Sequence, residues 1–477
     1  MSIENVERID GVAQYDLIVI GSGSGNTLIG PEWDDKKVAL IDGGIFGGTC
    51  LNVGCIPTKM YVYPATIAQK TREVKHLGVD AHVDAVHWAQ IRDRIFASRI
   101  DQIVEGGREW RAGLPNVDFY DQYARFVGSH TVELTDGARL QGRQIVIAAG
   151  SRAVLPPVPG IDSSKVYTND NVMRLDELPA RMVVIGGGVI AAEFSHVFSA
   201  FGTEVTQLNR SSLLLRGVDE EVVARFEEAA SKQWNIVKDA GLSEIRENAD
   251  GSVTVVAKRT TENGEELLEI PADAVLVATG RRPNTDTLNA KNYFDVQDGG
   301  QLSVDKYQRV LYNGAPVPGV YAIGDVSSSY QLKHVQHNLS HPEDLRASDH
   351  RYVPGAVFSN PQIAVVGMTE EQEREAAERE GFEITVKAQN FGDTAYGWAM
   401  EDKIGLCKLI ARKDNGELLG AHLVGEESSV LIQPLLQAMS FGMDARTLAR
   451  GQYWIHPALT EIIENALLGL EFDEPAN

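Results

Sequence analysis

The sequence predicts an α/β protein: two βαβ units in succession, with an α+β unit at the C-terminal end. Three observations predict it. A short apolar run ending in a glycine-rich turn occurs twice, "YDLIVI" (15–20) before "GSGSGN" and "RMVVI" (181–185) before "GGGVIA". Each is followed by a second strand-like run, "KVALID" (37–42) and "TEVTQLNR" (203–210). From about Val353 the pattern changes to "AVFSNPQIAVVG" and "ELLGAHLVG", read as antiparallel strands, with "VLIQPLLQAMSFG" (430–442) and "HPALTEIIENALLG" (456–469) as helices packed on them.

Taken in chain order, the first glycine turn lets backbone N–H groups at a helix N-terminus approach a pyrophosphate. Gly21 and Gly23 fit that role, Asn26 stands where a third glycine usually sits, and Pro31 comes early enough to stunt the helix. Asp42 ends the next strand at the spacing that suits a ribose hydroxyl acceptor. An acid there favours an unphosphorylated ribose, as in FAD. An amphipathic helical region follows at about 60–110, then a strand, "RQIVIAAGS" (143–151), and a Pro-rich joint, "VLPPVPG" (154–160), that marks a boundary. The second turn, with Gly186, Gly188 and Ala191, matches the pattern ending in Gly or Ala. Its second strand ends in Asn209 in place of an acid, and Arg210 and Arg216 follow. A carboxylate would repel a 2′-phosphate, whereas two guanidiniums hold one through charge-assisted bonds, so NADPH is expected over NADH. "DAVLVATGRRPN" (273–284) and "GVYAIGDV" (319–326) return to buried strands.

Composition narrows the function classes. At 477 residues the chain is too long for a single core, and its 43% hydrophobic and 23% charged residues are those of a globular protein. A net charge of −23 excludes a nucleic-acid footprint, since phosphate backbones would be repelled. No apolar run reaches the length of a membrane span, and "MSIENVERIDGVAQ" has the character of neither a secretory signal nor a transit peptide, so a cytoplasmic location is expected.

The chain has three cysteines, too few for a disulfide framework. Cys407 reads as a lone buried residue on a strand. Cys50 and Cys55 form a close pair in "GGTCLNVGCIPTK", with no further Cys or His nearby to complete a zinc site, and no metal is expected. In an ideal helix residues five apart are separated by roughly 7.5 Å along the axis, outside the usual Cα separation of a disulfide. The two can bond only across a distorted turn, which Gly54 permits, and such a bond is labile rather than structural. The pair is read as redox-active.

With "GGTCLNVGCIPTK", the two nucleotide motifs, "VATGRRPN", "YAIGDV" and "IHPALTE" in order, nearly the whole chain resembles the pyridine-nucleotide disulfide oxidoreductases, flavoproteins that include glutathione reductase and lipoamide dehydrogenase. Stretches such as "CIPTKMYVYPA", "AYGWAMED" and "GQYWIHPAL" are most similar to the branch that reduces mycothione, the disulfide of mycothiol. The resemblance implies two Rossmann-like nucleotide-binding domains plus an α+β C-terminal dimerisation domain. The expected boundaries are 1–154 with 275–348 for FAD, 155–274 for NADPH and 349–477 for the dimer interface. It also implies roles. Cys55 is the thiol nearer the flavin, Cys50 faces the substrate disulfide, and Lys59 stands beside the flavin and pairs with Glu193. Gly48, Thr49, Gly150, Ser151, Asp325 and Gly280 join the cofactor-binding set, Asp325 on the ribityl chain. His456, oriented by Glu461, acts as acid–base on the other subunit's Cys50 in a homodimer; His334 and His337 are weaker alternatives.

The sequence departs from the family in "GDVSSSYQLKHVQHNLSHPE", where matching both "LKHV" and "QHNL" leaves about eight residues, roughly two helical turns, missing after Val335. The loss is expected to weaken flavin retention and activity. Against lipoamide dehydrogenase stands the missing acid at Asn209, and against mercuric reductase the absence of a redox pair in "GLEFDEPAN". A glutathione reductase-like enzyme and an impaired flavin-binding dimer remain open.

Overall fold

The computed structural model describes residues 8–261, 264–327, 335–341 and 343–473. β1 (Ala13–Ile20), β2 (Val38–Ile41) and β3 (Val117–Tyr120) run parallel, and Arg139–Ile147 and Ala315–Ala322 extend them into an eight-stranded sheet. Leu17, Ile18 and Val19 are fully buried in succession, the continuous apolar run of a strand covered on both faces. Register decides what these strands present. Ile20 is level with Ile41 and Ile147, and Ile147 with Ala322, so the parallel strands finish together. The residues that follow (Gly21, Asp42, Ala148 to Gly150, and Ile323 to Asp325) converge on one carboxyl edge, where open α/β sheets bind ligands.

A second sheet repeats the plan. Asn235–Val237, Glu204–Leu208, Arg181–Ile185, Ala274–Val277 and Val166–Tyr167 are parallel in that order, and Ile185 is level with Leu208 and Val277. Gly186, Asn209 and Ala278 thus share the second edge. The strand Ala274–Val277 straddles the boundary expected at 274. Two runs read as single strands are each broken in two. The first stops at Ile147 and the second at Val277; beyond the breaks, Ser151–Ala153 pairs with Arg281–Pro283 in a short ribbon joining the two units. The chain turns out of each sheet at Gly150 and Gly280, which alternating hydrophobicity does not register.

The helical region near 60–110 resolves into α1 (Gly48–Asn52), α2 (Cys55–Glu73), α3 (Trp88–Ile95) and α4 (Asp101–Ala112), with residues 79–87 non-helical. α2 packs along α5 (Val189–Phe201), the helix of the second glycine turn. Tyr61 stacks on Trp88 at 4.9 Å and Trp88 meets Phe198 at 5.6 Å, aromatic contacts each contributing about 0.5–1.5 kcal/mol beyond burial. The C-terminal domain is a five-stranded antiparallel sheet, Gly355–Val357, Gln362–Gly367, Leu418–Gly425, Leu406–Arg412 and Ile384–Asn390, with Gln433–Phe441 and Glu461–Leu468 against it. Cys407 is buried there, as the sequence predicts. The stretch 328–334, with His334, lies outside the described residues, and beyond it a helix spans only Val335–Ser340. No helix among the described residues is long and apolar enough to cross a membrane.

Candidate active site

The cysteine pair sits on a broken helix. α1 ends at Asn52, Val53 and Gly54 leave the helical path, and α2 restarts at Cys55. A Cβ on Gly54 would lie 2.9 Å from the Thr49 carbonyl oxygen, so the break closes too tightly for a side chain there. The distorted turn that the spacing demanded is therefore present. Cys50 is half-buried and Cys55 exposed, both as free thiols. They differ electrostatically. The Cys55 thiol is pushed down to about 6, first by the hydrogen bond it accepts from Cys50 and then, against the opposing effect of burial, by backbone N–H and the Lys59 ammonium. Cys50 is pushed up, first by donating to Cys55 and then by burial. A thiolate on Cys55 with a protonated Cys50 is the arrangement this turn favours.

One helical turn into α2, Lys59 donates to both carboxylate oxygens of Glu193 at 2.8 Å. Glu193 is buried in α5, and its Oε1 also accepts from the Phe358 N–H at 3.0 Å, while the ammonium lies 4.6 Å from the Phe358 ring. This pair, expected from the sequence, joins the cysteine helix to the second nucleotide unit and to the start of the C-terminal sheet.

The first carboxyl edge forms a cradle. Ser22 donates to Asp42 Oδ2 through its N–H at 2.7 Å and also through its hydroxyl, and Gly44 N–H donates to Oδ1 at 2.8 Å. Gly21, at φ +107°, backs onto Ala148, whose carbonyl oxygen would be 2.3 Å from any Cβ at Gly21. A Cβ on Gly48 would lie 2.7 Å from Gly23 Cα, so the glycine turn and the N-terminus of α1, with Thr49 next in line, approach backbone to backbone. Across the cradle Ser151 Oγ donates to Asp325 Oδ2 at 2.6 Å, with space beyond Gly150 and Gly324. A turn that excludes side chains, an acid at the second strand end and a second acid opposite fit the diphosphate, ribose and ribityl parts of FAD.

The helix after the first turn is stunted, as Pro31 predicts: a short 3-10 segment, Ser24–Leu28, is followed by another at Pro31–Trp33. Asn26 Oδ1 accepts from Arg111 Nε at 2.8 Å, and Arg111 donates further to the carbonyls of Asn26 and Ile29 at 3.0 and 3.2 Å. Arg111, 4% exposed, was not foreseen; nothing in "REWRAGLP" separates it from an ordinary helix-surface arginine.

The second edge repeats the cradle. Gly186, at φ +138°, backs onto the Ala278 carbonyl at 2.3 Å from a would-be Cβ, Gly188 opens onto empty space, and Ala191 is buried in α5. Asn209 is buried, donates to the carbonyls of Ser211 and Leu213 at 2.7 and 2.9 Å, and lies against the glycine turn, where its Oδ1 would be 2.5 Å from a Cβ at Gly187. Arg210 and Arg216 are exposed on that loop, and among the described residues neither is paired with a carboxylate. These residues fit a nucleotide carrying an extra phosphate.

His456 lies before the last helix, in the loop of the cis Pro457. Its ring is 68% exposed; Nδ1 faces Glu461 Oε1 at 3.1 Å, which leaves Nε2 free to exchange a proton. His337 instead contacts the Asp344 carbonyl at 2.8 Å and stacks on His341. No cluster of His, Cys, Asp and Glu able to hold a metal occurs among the described residues.

Comparison with known proteins gives the family. Residues 15–341 match the family model described as pyridine nucleotide-disulphide oxidoreductase, and 353–467 match the dimerisation domain of the same family. A mycothione reductase from Mycobacterium tuberculosis is 46% identical over 96% of this chain and 99% of its own. The chloroplastic dihydrolipoyl dehydrogenase 2 of Arabidopsis thaliana is 30% identical over 97% of this chain and 83% of its own. Among solved structures, the HOCl-induced flavoprotein disulfide reductase RclA from Escherichia coli is similar with a TM-score of 0.79 at 28% identity, covering 95% of this chain and 100% of that one.

Proposed function

The chain belongs to the pyridine nucleotide-disulphide oxidoreductase family, and on that premise we propose that this flavoprotein disulfide reductase uses NADPH and reduces mycothione. For the substrate, the observation that carries the reading is the 46% identity, across 96% of the chain, to a protein named for that activity. For the nucleotide, support comes from the exposed Arg210 and Arg216 beside a turn whose strand ends in Asn209, where a ribose-binding acid would select against phosphate.

Gly21, Gly23, Asn26, Asp42, Gly48, Thr49, Gly150, Ser151, Gly280 and Asp325 are assigned to FAD, and Gly186, Gly188, Ala191, Arg210 and Arg216 to NADPH. When bound, FAD supplies the electron transfer that links the nucleotide to the Cys50–Cys55 disulfide. Lys59, held by Glu193, contributes positive charge at that place. In the reduced pair, the partner subunit's His456 takes the Cys50 proton, and the Cys50 thiolate attacks one sulfur of the substrate disulfide, forming a mixed disulfide and displacing one thiolate. The departing sulfur takes its proton from the partner subunit's His456. Cys55 then attacks Cys50, releasing the second thiol and restoring the intramolecular disulfide.

The test is NADPH oxidation with mycothione, glutathione disulfide and lipoamide side by side, repeated with NADH. Preference for mycothione and NADPH is expected. Faster turnover of either other disulfide overturns the substrate, and equal use of NADH overturns the nucleotide.

A further inference from the structure

The Val53 carbonyl lies between the two cysteines, in the break that separates α1 from α2. It accepts a hydrogen bond at 3.0 Å from Asn169 Nδ2, which also donates to Asp170 Oδ1 at 3.0 Å. Asn169 is only 6% exposed. Its Oδ1 accepts from Arg281 Nη1 at 3.1 Å. Arg281 in turn donates through Nη2 to the Ser151 carbonyl at 2.6 Å and through Nε to Ser151 Oγ at 2.8 Å. Ser151 Oγ completes the chain on Asp325 at 2.6 Å. An unbroken series of hydrogen bonds, all within ordinary length, therefore runs from the turn between the cysteines to the acid of the flavin cradle.

The turn needs such an anchor. α1 has five residues, too few to hold its own end against fraying, and the break leaves backbone groups without helical partners. How readily two thiols close a disulfide depends on how firmly the intervening chain keeps them together, their effective concentration. We propose that Asn169 is a positioning residue of the redox centre. It holds the Val53 carbonyl so that the break keeps Cys50 and Cys55 within reach, and through Arg281 and Ser151 it fastens that turn to Asp325. A buried asparagine that merely satisfied its own hydrogen bonds would affect stability alone.

The inference rests on Cys50 and Cys55 being a redox pair, and the experiment separates the two. Holoenzyme is equilibrated in glutathione redox buffers of graded ratio, quenched by alkylation, and the fraction oxidised at the pair is read by mass, with melting temperature recorded in parallel. Wild type that never forms the disulfide defeats the redox reading itself. Given a wild-type disulfide, Asn169→Ala is expected to move the half-oxidation point about tenfold toward the dithiol, about 30 mV. Asn169→Asp keeps an acceptor for Arg281 but removes the donor to Val53, so it is expected to show the same shift; it also serves if the alanine variant does not fold. A half-oxidation point at the wild-type value in either folded variant, whatever its melting temperature, overturns the proposal.

Discussion

At the scale of single residues, the cysteine turn makes two chemically identical side chains unequal. With its thiol down at about 6, Cys55 is ionised across the neutral range while Cys50 keeps its proton. In the dithiol protein, alkylation of Cys55 against pH is expected to titrate near 6, and Lys59→Met to move that midpoint upward because the ammonium favours the thiolate. The sign for stability follows from proton binding. Between about 6 and the usual thiol value near 8.5 the unfolded chain holds the Cys55 proton and the folded chain does not, so reduced protein gains stability as pH rises through that window and loses it as pH falls through about 6. The raised thiol of Cys50 acts in the opposite sense at higher pH. A urea titration of wild type and Cys55→Ser at both ends of the window checks this: the difference between them grows with pH. His456→Ala is expected to slow the reaction of pre-reduced enzyme with its disulfide by about 10²–10⁴-fold, the usual contribution of a positioned acid, measured by stopped flow.

At the scale of elements, the two glycine turns are the same construction built twice, each pressed against an alanine carbonyl just past the end of the neighbouring strand. Gly186→Ala forces a methyl into that carbonyl at a backbone angle that disfavours side chains, expected to cost about 1–3 kcal/mol and to raise the Kd for NADP+ at least about tenfold, read by calorimetry. The first turn lacks a full helix behind it, and Arg111 closes the gap by binding the carbonyls at the end of the short 3-10 segment. Arg111→Met leaves the buried Ile29 carbonyl and the part-buried Asn26 side chain without their arginine donor, while the Asn26 carbonyl keeps the Ile29 N–H, at about 1–3 kcal/mol for the buried group. FAD is expected to be released at lower temperature than from wild type, followed by flavin fluorescence. α2 and α5 form the other notable pair: Lys59 with Glu193, Thr66 with His196 and Arg72 with the Ala200 carbonyl mark successive points along one seam. That seam sets the cysteines in a fixed relation to the second nucleotide unit.

At the scale of the whole molecule, Lys408 on the C-terminal sheet is buried among Asp219 at 3.0 Å, Glu370 at 2.7 Å and Glu221 at 3.4 Å. It pins the helix at 220–230 of the second unit to the C-terminal domain. The exposed apolar side chains Phe441, Tyr453 and Ile455 belong with His456 to the dimerisation domain, where a second copy would cover them. If each centre takes Cys50 from one copy and His456 from the other, mixed inactive Cys50→Ser and His456→Ala chains, unfolded and refolded together, regain roughly a quarter of wild-type turnover, since half of randomly paired dimers carry one intact centre of two. Recovery of no activity in heterodimers verified by mass would place His456 outside the shared site.

The sequence alone determined what depends on local chemistry: two strand–glycine–helix units, the acid at Asp42, the broken turn at Gly54 and the stunted helix before Pro31. Each is written in neighbouring residues, because steric limits and hydrogen bonding act over a few positions. Lys59 with Glu193 and His456 with Glu461 were legible only through resemblance, since nothing in spacing relates positions on different helices or identifies one histidine among eleven. Tertiary structure alone decided where the long runs break, at Gly150 and Gly280, and which distant polar groups meet. Asn169 and Arg111 carry no periodic or motif signal of their roles, and the motif that contains Arg281 does not say which groups it binds. Their partners are backbone carbonyls and side chains brought near by strand register, and register is settled by packing across whole sheets.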